Sequence, residues 1–257
     1  MPVAILCGGR GTRLKEETGI IPKPLVRIGE RPIVWHIMKS YYAQGFRRFF
    51  LLLGYKGEKI KEYFHDYRPH HSDFTLDFKD ATTKMTYHSR PEEEWEVTFI
   101  DTGLEAQTGA RVKRAESFLK GKPFLLTYGD GVANVDLKSL LSFHQTQGKM
   151  VTLTGVHPPG RFGEMEVKGS LIVNFREKPK TKTYINGGFF VVEPEIFGSL
   201  SDDATLNFEK DVLPRLAEKK KLSMYPHEGY WQCMDTIHDM DMLNDEWNSG
   251  RAKWKTW

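Results

Sequence analysis

Short apolar segments alternate with segments of helical periodicity along most of this chain, and that alternation limits the folds open to it. Strands are predicted at residues 3–6, 49–53, 124–127 and 150–156. Between them, apolar residues recur at helical spacing, as at Ile33, Ile37 and Tyr41. Strands joined by helices need crossover connections, which produce a mostly parallel sheet covered on both faces. We therefore predict an α/β fold with a mixed, mostly parallel open sheet flanked by helices.

The second half of the chain changes character. Further strands are predicted at residues 170–175, 188–192 and 222–225, and helices at 208–219 and 236–247. Pro214 falls inside the first of these helices, which predicts either a kink or a later start. Residues 66–96 are polar and predicted to be irregular, a smaller excursion that serves as a lid or a subunit contact. The final WKTW, residues 254–257, is expected to pack on the domain or on a neighbour.

Composition narrows the class of protein. The 257 residues include 37 basic and 34 acidic side chains, and the small net charge of +3 does not suggest a nucleic-acid-binding protein. The longest apolar run after the first strand, residues 49–53, is far too short to span a membrane. Two cysteines, Cys7 and Cys233, do not make a disulfide framework. We expect a soluble cytoplasmic protein with a single domain over residues 1–257, which binds neither nucleic acid nor membranes.

The first predicted strand runs directly into a glycine-rich segment. Residues 7–14, here termed the glycine loop, read CGGRGTRL, and the motif PKP follows at 22–24. Glycines at positions 8, 9 and 11 let backbone N–H groups approach a phosphate chain, because glycine accepts positive φ and carries no Cβ. Arg10, Arg13 and Lys23 add positive charge. The combination predicts a phosphate- or nucleotide-binding loop, and the alternative is a glycine-rich turn with solvated basic side chains.

Two better-known glycine motifs do not fit this loop. A Walker A loop is excluded, because GxxxxGK followed by Ser or Thr does not occur in the chain. From Gly9, a GxGxxG motif would need a third glycine where Leu14 stands, and leucine does not allow the close helix–strand packing of a dinucleotide-binding fold. An ordinary Rossmann dehydrogenase is therefore the weaker interpretation.

Two aspartates follow predicted strands, at the edge where open parallel sheets bind ligands. Asp130 lies between glycines in the turn YGDG at 128–131, and Asp235 follows WQCM at 231–234. Together they would form an oxygen-rich site for Mg²⁺, which keeps several waters and bridges substrate phosphates. Each aspartate also has a structural alternative, since Asp130 could cap a turn and Asp235 could be the N-cap of the last helix.

Several motifs together resemble the sugar-1-phosphate nucleotidylyltransferase family. They are GGRGTRL, PKP, YGDG, EKP at 177–179, NGGFF at 186–190 and the late Asp235. WHIMK at 35–39, GYKGEKIKEYF at 54–64, PPGRFG at 158–163 and the final WKTW are similar to its cytidylyltransferase branch. The resemblance implies a Rossmann-like nucleotidyltransferase fold and transfer of a cytidylyl group from CTP to α-D-glucose 1-phosphate, giving CDP-glucose and pyrophosphate. It also implies dependence on Mg²⁺, a homo-oligomer that is expected to be a hexamer, and a route to dideoxyhexoses of bacterial surface polysaccharide.

The resemblance also assigns site residues, position by position. The nucleotide-binding residues that it implies are Leu6, Gly8, Gly9, Arg10, Gly11, Thr12, Arg13, Lys23, Thr108, Gly109, Arg111 and Gly129. The positions that match sugar-phosphate contacts are Glu177, Lys178 and Gly188, those that match the metal ligands are Asp130 and Asp235, and those that match the catalytic basic residues are Arg13, Lys23 and Lys178. Ala110 stands where a glycine is common in the family, and Cys7 stands where a small hydrophobic residue is common.

The implied chemistry is an in-line attack of a glucose 1-phosphate oxygen on the α-phosphorus of CTP, with pyrophosphate leaving. Such a reaction needs positioning and charge stabilisation and no covalent enzyme nucleophile. Two alternatives stay open. One is a thymidylyl- or uridylyltransferase acting on a hexose 1-phosphate, which composition cannot separate from a cytidylyltransferase. The other is a non-catalytic nucleotide-binding regulatory module on the same fold, against which the presence of both Asp130 and Asp235 argues.

Overall fold

Seven strands form one sheet, and helices cover both of its faces. The computed structural model describes residues 1–14, 18–79, 82–89, 92–158, 163–177 and 183–257. In chain order the strands are β1 (Val3–Cys7), β2 (Arg48–Leu53), β3 (Glu96–Asp101), β4 (Phe124–Tyr128), β5 (Val151–Val156), β6 (Ile185–Val192) and β7 (Leu222–His227). Their spatial order is β7-β5-β6-β4-β1-β2-β3. Neighbours are parallel except at β6, which runs antiparallel to both β4 and β5.

Helices and short ladders complete the architecture. The longer α-helices are α1 (Ile33–Ala43), α2 (Gly57–His65), α3 (Thr108–Arg114), α4 (Leu137–Gln147), α5 (Leu213–Glu218) and α6 (Ile237–Asn248). Shorter turns are α-helical at Tyr67–His70 and Glu116–Leu119, 3₁₀ at Thr12–Leu14, Lys23–Leu25 and Pro194–Ser199, and π-helical at Phe208–Val212. Two-stranded ladders pair Arg27–Ile28 with Arg31–Pro32, Phe74–Asp77 with Lys84–Tyr87, Gly131–Ala133 with Trp231–Cys233, and Glu164–Lys168 with Leu171–Arg176. None of the described helices is long and apolar enough to cross a membrane.

Two apolar layers, one on each face of the sheet, form the core. β1 shows the separation, because successive side chains of a strand point to opposite faces. Val3 and Ile5 belong to one layer, and Ala4 and Leu6 belong to the other. Side chains of α1, α4 and α6 cover the first layer, and those of α3 and α5 cover the second. Every residue of β1 is buried, as expected of a strand inside a parallel sheet with both faces covered.

The predicted fold class is confirmed, and the differences concern single elements. β3 was not predicted, because its sequence EVTFID lies at the sheet edge and mixes exposed and half-buried residues. The helix around Pro214 takes the later start that was one of the two alternatives. Residues Phe208–Val212 form a π-helical turn, and α5 begins at Leu213, so that Pro214 lies in its first turn, where a missing N–H leaves no hydrogen bond unmade.

Residues 66–96 are more ordered than their composition indicates. The expectation of an irregular excursion is wrong for two stretches of it, which form the short helix Tyr67–His70 and the ladder of Phe74–Asp77 with Lys84–Tyr87. The strands of this ladder are almost entirely exposed. A run of apolar residues predicts a buried strand. The strands of this ladder are exposed and contain no such run, so the sequence pattern does not predict them.

The C-terminal tail packs against its own chain. Trp254 is fully buried, with 0% of its surface exposed. Its ring stacks on that of Trp247 at 6.2 Å and meets that of His36 edge-on at 6.1 Å. The ring of Trp257 lies 6.0 Å from that of Trp35 in α1. The predicted packing of the tail on the domain is therefore confirmed.

Candidate functional site

A cleft with a volume of about 400 Å³ opens at the carboxyl ends of β1 and β4. Its walls come from the glycine loop, from the segment before α3 and from the turns that follow β4 and precede α6. The lining residues are Leu6, Cys7, Gly8, Gly9, Arg10, Gly11, Thr12, Lys23, Pro24, Leu104, Glu105, Ala106, Gln107, Thr108, Arg111, Tyr128, Gly129, Asp130 and Asp235. Open parallel sheets bind ligands outside the carboxyl ends of their strands, and the volume suits a small molecule. This cleft is the candidate site.

The glycine loop forms one wall because β1 ends at Cys7 and the chain turns at once. Gly11 has a φ of +61°, a left-handed conformation that glycine adopts without strain. Its carbonyl accepts hydrogen bonds from the backbone N–H of Leu14 at 2.9 Å and from Thr18 Oγ1 at 3.0 Å. These bonds close the 3₁₀ turn Thr12–Leu14. The side chain of Arg13 lies outside the part of the chain that the structure describes.

Lys23, Asp130 and Asp235 meet at one end of the cleft. The Lys23 Nζ atom lies 2.6 Å from Asp130 Oδ2 and 2.6 Å from Asp235 Oδ1. The ladder of Gly131–Ala133 with Trp231–Cys233 brings the two aspartates together from opposite halves of the chain. Burial alone would lower the pKa of Lys23, but the two carboxylates outweigh burial and hold that pKa above its ordinary value. Lys23 is therefore a fixed positive charge in the cleft.

The two carboxylates fit a magnesium site. Because both oxygens lie 2.6 Å from the same nitrogen, they are separated by at most twice that distance. Mg²⁺–O bonds are about 2.1 Å long, so one ion can contact both carboxylates directly or through one water. In the described ranges, no group of three Asp, Glu, His or Cys side chains is placed to hold a metal. Mg²⁺ often takes one or two carboxylates and leaves its other positions to water and phosphate, so the donor set suits it.

The helix-capping alternative for Asp235 is wrong. Thr236 is the N-cap of α6 and forms a capping box with Asp239. Asp235 precedes the cap, and its carboxylate bonds to Lys23 while its backbone N–H donates to Asp239 Oδ2 at 3.1 Å. The Asp130 carboxylate also bonds to Lys23. Both aspartates therefore direct their charge into the cleft.

Arg111 lies under the cleft, with its guanidinium surrounded by oxygen atoms. Only 4% of the residue is exposed. It donates hydrogen bonds to the carbonyls of Gly8 (2.9 Å), Leu53 (2.9 Å), Gly103 (2.8 Å) and Leu104 (3.3 Å) and to Thr102 Oγ1 (2.8 Å). These acceptors lie at or beyond the ends of β1, β2 and β3, so one side chain ties three strand ends together. A Cβ atom at Gly8 or Gly54 would collide with the guanidinium, so only glycine fits at these two positions.

Thr108 and Gly109 open α3 on the facing wall. Thr108 lines the cleft, and its hydroxyl donates to Glu209 Oε2 at 2.6 Å. Gly109 packs behind the wall, where a Cβ atom would lie 2.9 Å from the Leu206 carbonyl oxygen. Its neighbour Ala110 is fully buried. Helix packing therefore accounts for Gly109 without any ligand.

An ion pair crosses the mouth of the cleft. Arg10 of the glycine loop bonds to Glu105 of the facing segment, and both side chains are more than half exposed. The Arg10 guanidinium also lies 5.9 Å from the centre of the Tyr55 ring. Exposed pairs of this kind contribute about 0–1 kcal/mol. Arg10 can therefore exchange Glu105 for a phosphate at small cost.

Neither cysteine is suited to act as a nucleophile. Burial, reinforced by Asp130, raises the pKa of the Cys7 thiol well above its ordinary value. Burial and the nearby carboxylates of Asp235 and Asp130 raise the pKa of Cys233 to about 12. Because the thiolate is the reactive form, both side chains stay unreactive thiols.

Comparison with known proteins decides the family. Residues 3–245 match the family model described as nucleotidyl transferase. The chain belongs to this family. It is 46% identical over 259 residues to the glucose-1-phosphate cytidylyltransferase of Salmonella typhimurium, with all of both chains covered. It is 45% identical over 257 residues to the probable glucose-1-phosphate cytidylyltransferase of Bacillus subtilis, again with all of both chains covered. The family predicted from the motifs is confirmed.

Solved structures show the same fold at lower identity. HddC from Yersinia pseudotuberculosis aligns with a TM-score of 0.70 and 23% identity, over 96% of this chain and 99% of that one. At this level of identity the likeness concerns the fold alone. It agrees with the mixed, mostly parallel sheet described above.

The predicted sugar-phosphate residues lie apart from the residues that line the cleft. Glu177 is exposed and directly follows the ladder of Glu164–Lys168 with Leu171–Arg176. Gly188, with a φ of +78°, lies in β6 against the ring of Tyr128, where a Cβ atom would collide. Lys178 lies outside the described residues. The structure therefore brings the predicted glycine loop, Lys23 and the two predicted metal ligands together, but does not bring Glu177 and Gly188 into the same cleft.

Some residues of the site were not predicted from the sequence. Glu105 and Gln107 line the cleft beside Thr108, and their nearness in sequence to the Thr108-Gly109 match was the available signal. Tyr128 was quoted only as part of the YGDG motif, and its ring forms part of the wall. Glu209, the partner of Thr108, carries no local signal at all, because 101 residues separate the two.

Proposed function

We propose that the protein transfers a cytidylyl group from CTP to α-D-glucose 1-phosphate, with CDP-glucose and pyrophosphate as products. The observation that supports the reaction class is the meeting of Lys23 with Asp130 and Asp235 beside a glycine loop at the carboxyl ends of β1 and β4. The choice of substrates is supported by the 46% and 45% identity to two full-length relatives named for this activity.

The residues of the cleft divide the work of binding. Backbone N–H groups of the glycine loop take the triphosphate, because three glycines keep side chains away from it. Arg10 exchanges its exposed partner Glu105 for a phosphate oxygen, and Lys23 offsets negative charge where the sugar phosphate approaches the nucleotide. A preorganised charge of this kind contributes about 10²–10³ in turnover. No covalent intermediate is needed, which agrees with the two unreactive cysteines.

Asp130 and Asp235 would hold the Mg²⁺ ion that the family implies. When bound, the ion would neutralise charge on the phosphates and help to orient them. The two aspartates supply the oxygen ligands and fix where the ion lies relative to the glycine loop. Their convergence on one point, shown by the shared contact with Lys23, supports the assignment.

The remaining site assignments stay predictions. We retain Arg13 and Lys178 as basic residues at the reacting phosphates, with Glu177 and Gly188 as contacts of the hexose. The contact of Gly188 with the ring of Tyr128, on the β4–β6 side of the cleft, supports the assignment of Gly188. A sugar phosphate that contacts Gly188 would enter from that side.

The homo-oligomer, expected to be a hexamer, also stays a proposal, as does the single domain over residues 1–257. The tail lends the oligomer no support, since Trp254 is buried in its own chain. The exposed apolar residues Phe74, Leu76 and Phe78 in the polar excursion support it, because such side chains are enriched at interfaces. Light scattering of the purified protein tests the proposal, and a monomer at working concentration contradicts it.

A panel of nucleoside triphosphates and sugar 1-phosphates, followed by pyrophosphate release, tests the activity. We expect the largest kcat/KM for CTP with glucose 1-phosphate. A site built for the N4 amino group of cytosine discriminates against UTP and dTTP by about five- to 150-fold for each mismatched group, because the mismatch buries an unpaired acceptor. Equal kcat/KM values, or a preference for dTTP, move the protein to the thymidylyl or uridylyl alternative. Nucleotide binding without pyrophosphate release from any pair indicates a regulatory module.

A further inference from the structure

A π-helical turn lies directly behind the cleft and carries a carboxylate that the proposed function does not use. The turn spans Phe208–Val212, and the side chain of Asn207 caps it by accepting hydrogen bonds from the backbone N–H groups of Glu209 and Lys210. Asp211 closes it further by accepting from the Asn207 N–H at 2.7 Å. Turns of this kind are rare and occur often at functional sites. This one is held by its own caps, without help from the Glu209 side chain.

Both described hydrogen bonds of the Glu209 carboxylate reach residues that line the cleft. Tyr128 donates its hydroxyl proton to Oε1 at 2.6 Å, and Thr108 donates its own to Oε2 at 2.6 Å. The two donors belong to different elements, since Tyr128 is the last residue of β4 and Thr108 is the first residue of α3. A carboxylate accepts such bonds more strongly than a neutral group does. Glu209 therefore ties the two walls of the cleft to one point.

The network continues to the strand that carries the predicted hexose contact. Asn186 in β6 donates from Nδ2 to the Tyr128 hydroxyl at 2.9 Å, and its Oδ1 accepts from the backbone N–H of Gly188 at 2.9 Å. On the other side, the Phe208 N–H donates to Thr108 Oγ1 at 2.9 Å. One connected chain of hydrogen bonds thus runs from α3 through Glu209 to β6.

The two hydroxyl groups have no proton left for a substrate. Each hydroxyl has a single proton, and both protons are given to Glu209. Thr108 and Tyr128 therefore affect a bound substrate mainly through the positions of their side chains in the cleft walls, and not by donating hydrogen bonds to it.

We propose that Glu209 is a positioning residue that fixes the nucleotide wall at Thr108 relative to the hexose side at Tyr128 and Gly188. The inference rests on the proposed function, because it assigns the two sides to the two substrates. In-line transfer depends on the alignment of two bound reactants, and a displacement of about 1 Å can cost on the order of 10² in rate. Loss of the carboxylate should therefore reduce turnover more than affinity.

The test compares Glu209→Gln and Glu209→Ala with Glu218→Gln, a matched control in the adjoining helix α5 whose side chain is exposed. Kinetics of pyrophosphate release give kcat and both KM values, and thermal melting checks the fold. Gln keeps the shape of the side chain but only one acceptor oxygen. We expect kcat to fall about 10-fold for Glu209→Gln and about 100-fold for Glu209→Ala, with each KM within about threefold of wild type.

Tyr128→Phe removes the hydroxyl that bonds to Glu209 while keeping the ring. This variant tests the same hydrogen-bond network even if Glu209→Ala does not fold. If Glu209 acts through Tyr128, the double variant Glu209→Gln/Tyr128→Phe falls no more than about threefold below the worse single variant. Multiplicative effects of the two substitutions overturn the proposal, as does a loss confined to KM, or a Glu209→Gln enzyme as active as the Glu218→Gln control. Wild-type and control proteins that release no pyrophosphate instead refute the proposed function, so the two failures are distinguishable.

Discussion

Replacing Arg111 by methionine should destabilise the protein strongly, because the structure uses this side chain to hold strand ends together. Its guanidinium is buried and donates to acceptors at or beyond the ends of β1, β2 and β3. The resemblance of the sequence to the family implies a nucleotide contact for the same residue. The two roles make different predictions for the protein without nucleotide, since a side chain that only binds ligand contributes little to its stability.

The magnitude follows from what each acceptor keeps when the guanidinium is removed. The Leu53 carbonyl still accepts from Thr102, and the Gly8 carbonyl still accepts from the Tyr55 N–H at 3.1 Å. The described hydrogen bonds leave the carbonyls of Gly103 and Leu104 without a donor. Gly103 is half-buried and Leu104 is exposed, so each of these carbonyls costs about 1 kcal/mol, the lower end of the range for an unsatisfied group. Loss of the three buried bonds to Gly8, Leu53 and Thr102 adds about 0.5–1 kcal/mol each, which gives about 4 kcal/mol in all.

Urea unfolding without nucleotide measures the effect, with Arg114→Met as the matched control. Arg114 lies on the same helix and bonds to the Thr102 carbonyl and to Asp202, but its side chain is 31% exposed. We expect the free energy of unfolding to fall by about 1 kcal/mol in this control. For Arg111→Lys, which keeps the charge but has fewer donors, we expect about half of the loss seen with Arg111→Met. A difference between Arg111→Met and Arg114→Met below about 1 kcal/mol refutes the reasoning. Intact stability with weakened CTP binding in Arg111→Lys assigns the residue to the nucleotide.

Two further predictions concern the metal ligands and a buried histidine. Asp130→Asn and Asp235→Asn should each lower turnover, measured by pyrophosphate release, by at least about 10²-fold. The melting temperature of each variant should stay near that of wild type. Full Mg²⁺-dependent turnover in both variants contradicts the assignment of the metal ligands. Burial lowers the pKa of His36 from 6.5 to about 4, so the unfolded chain takes up a proton that the folded one does not as pH falls from about 6.5 to 4. The stability advantage of wild type over His36→Gln in urea should therefore shrink by about 3 kcal/mol between pH 7 and pH 4, and an unchanged difference shows that His36 titrates normally.

The parts of the fold that the sequence predicts are the parts that bury a continuous apolar face. β2 and β4 are almost entirely buried, and such strands read as apolar runs. The edge strand β3 and the ladder of Phe74–Asp77 with Lys84–Tyr87 bury little, so their sequences mix polar and apolar residues without a run. Pairing in these strands depends on backbone groups, which every residue carries, and composition alone does not show it.

The site divides in a similar way, according to how local its signals are. The glycine loop is one short segment, and the rule that ligands bind at strand ends points to Asp130 and Asp235. Their joint contact with Lys23 joins residues 107 and 212 positions apart, and only the folded chain shows it. The supporting bonds from Arg111 to Gly8 and from Thr108 to Glu209 span 103 and 101 positions. Such contacts leave no spacing pattern in the sequence.

The charges of the cleft explain why the described residues do not complete the site. Its lining contains three basic side chains, Arg10, Lys23 and Arg111, and three acidic ones, Glu105, Asp130 and Asp235. Arg111 directs its charge to carbonyl oxygens, and Lys23 already faces two carboxylates. A nucleoside triphosphate and a sugar phosphate add several negative charges, which a cleft without net positive charge does not offset. The family-implied Mg²⁺ ion, together with Arg13 and Lys178, would supply such charge. The electrostatic balance thus favours additional positive charge at this site on grounds independent of the resemblance, whereas the choice of Arg13 and Lys178 rests on the resemblance.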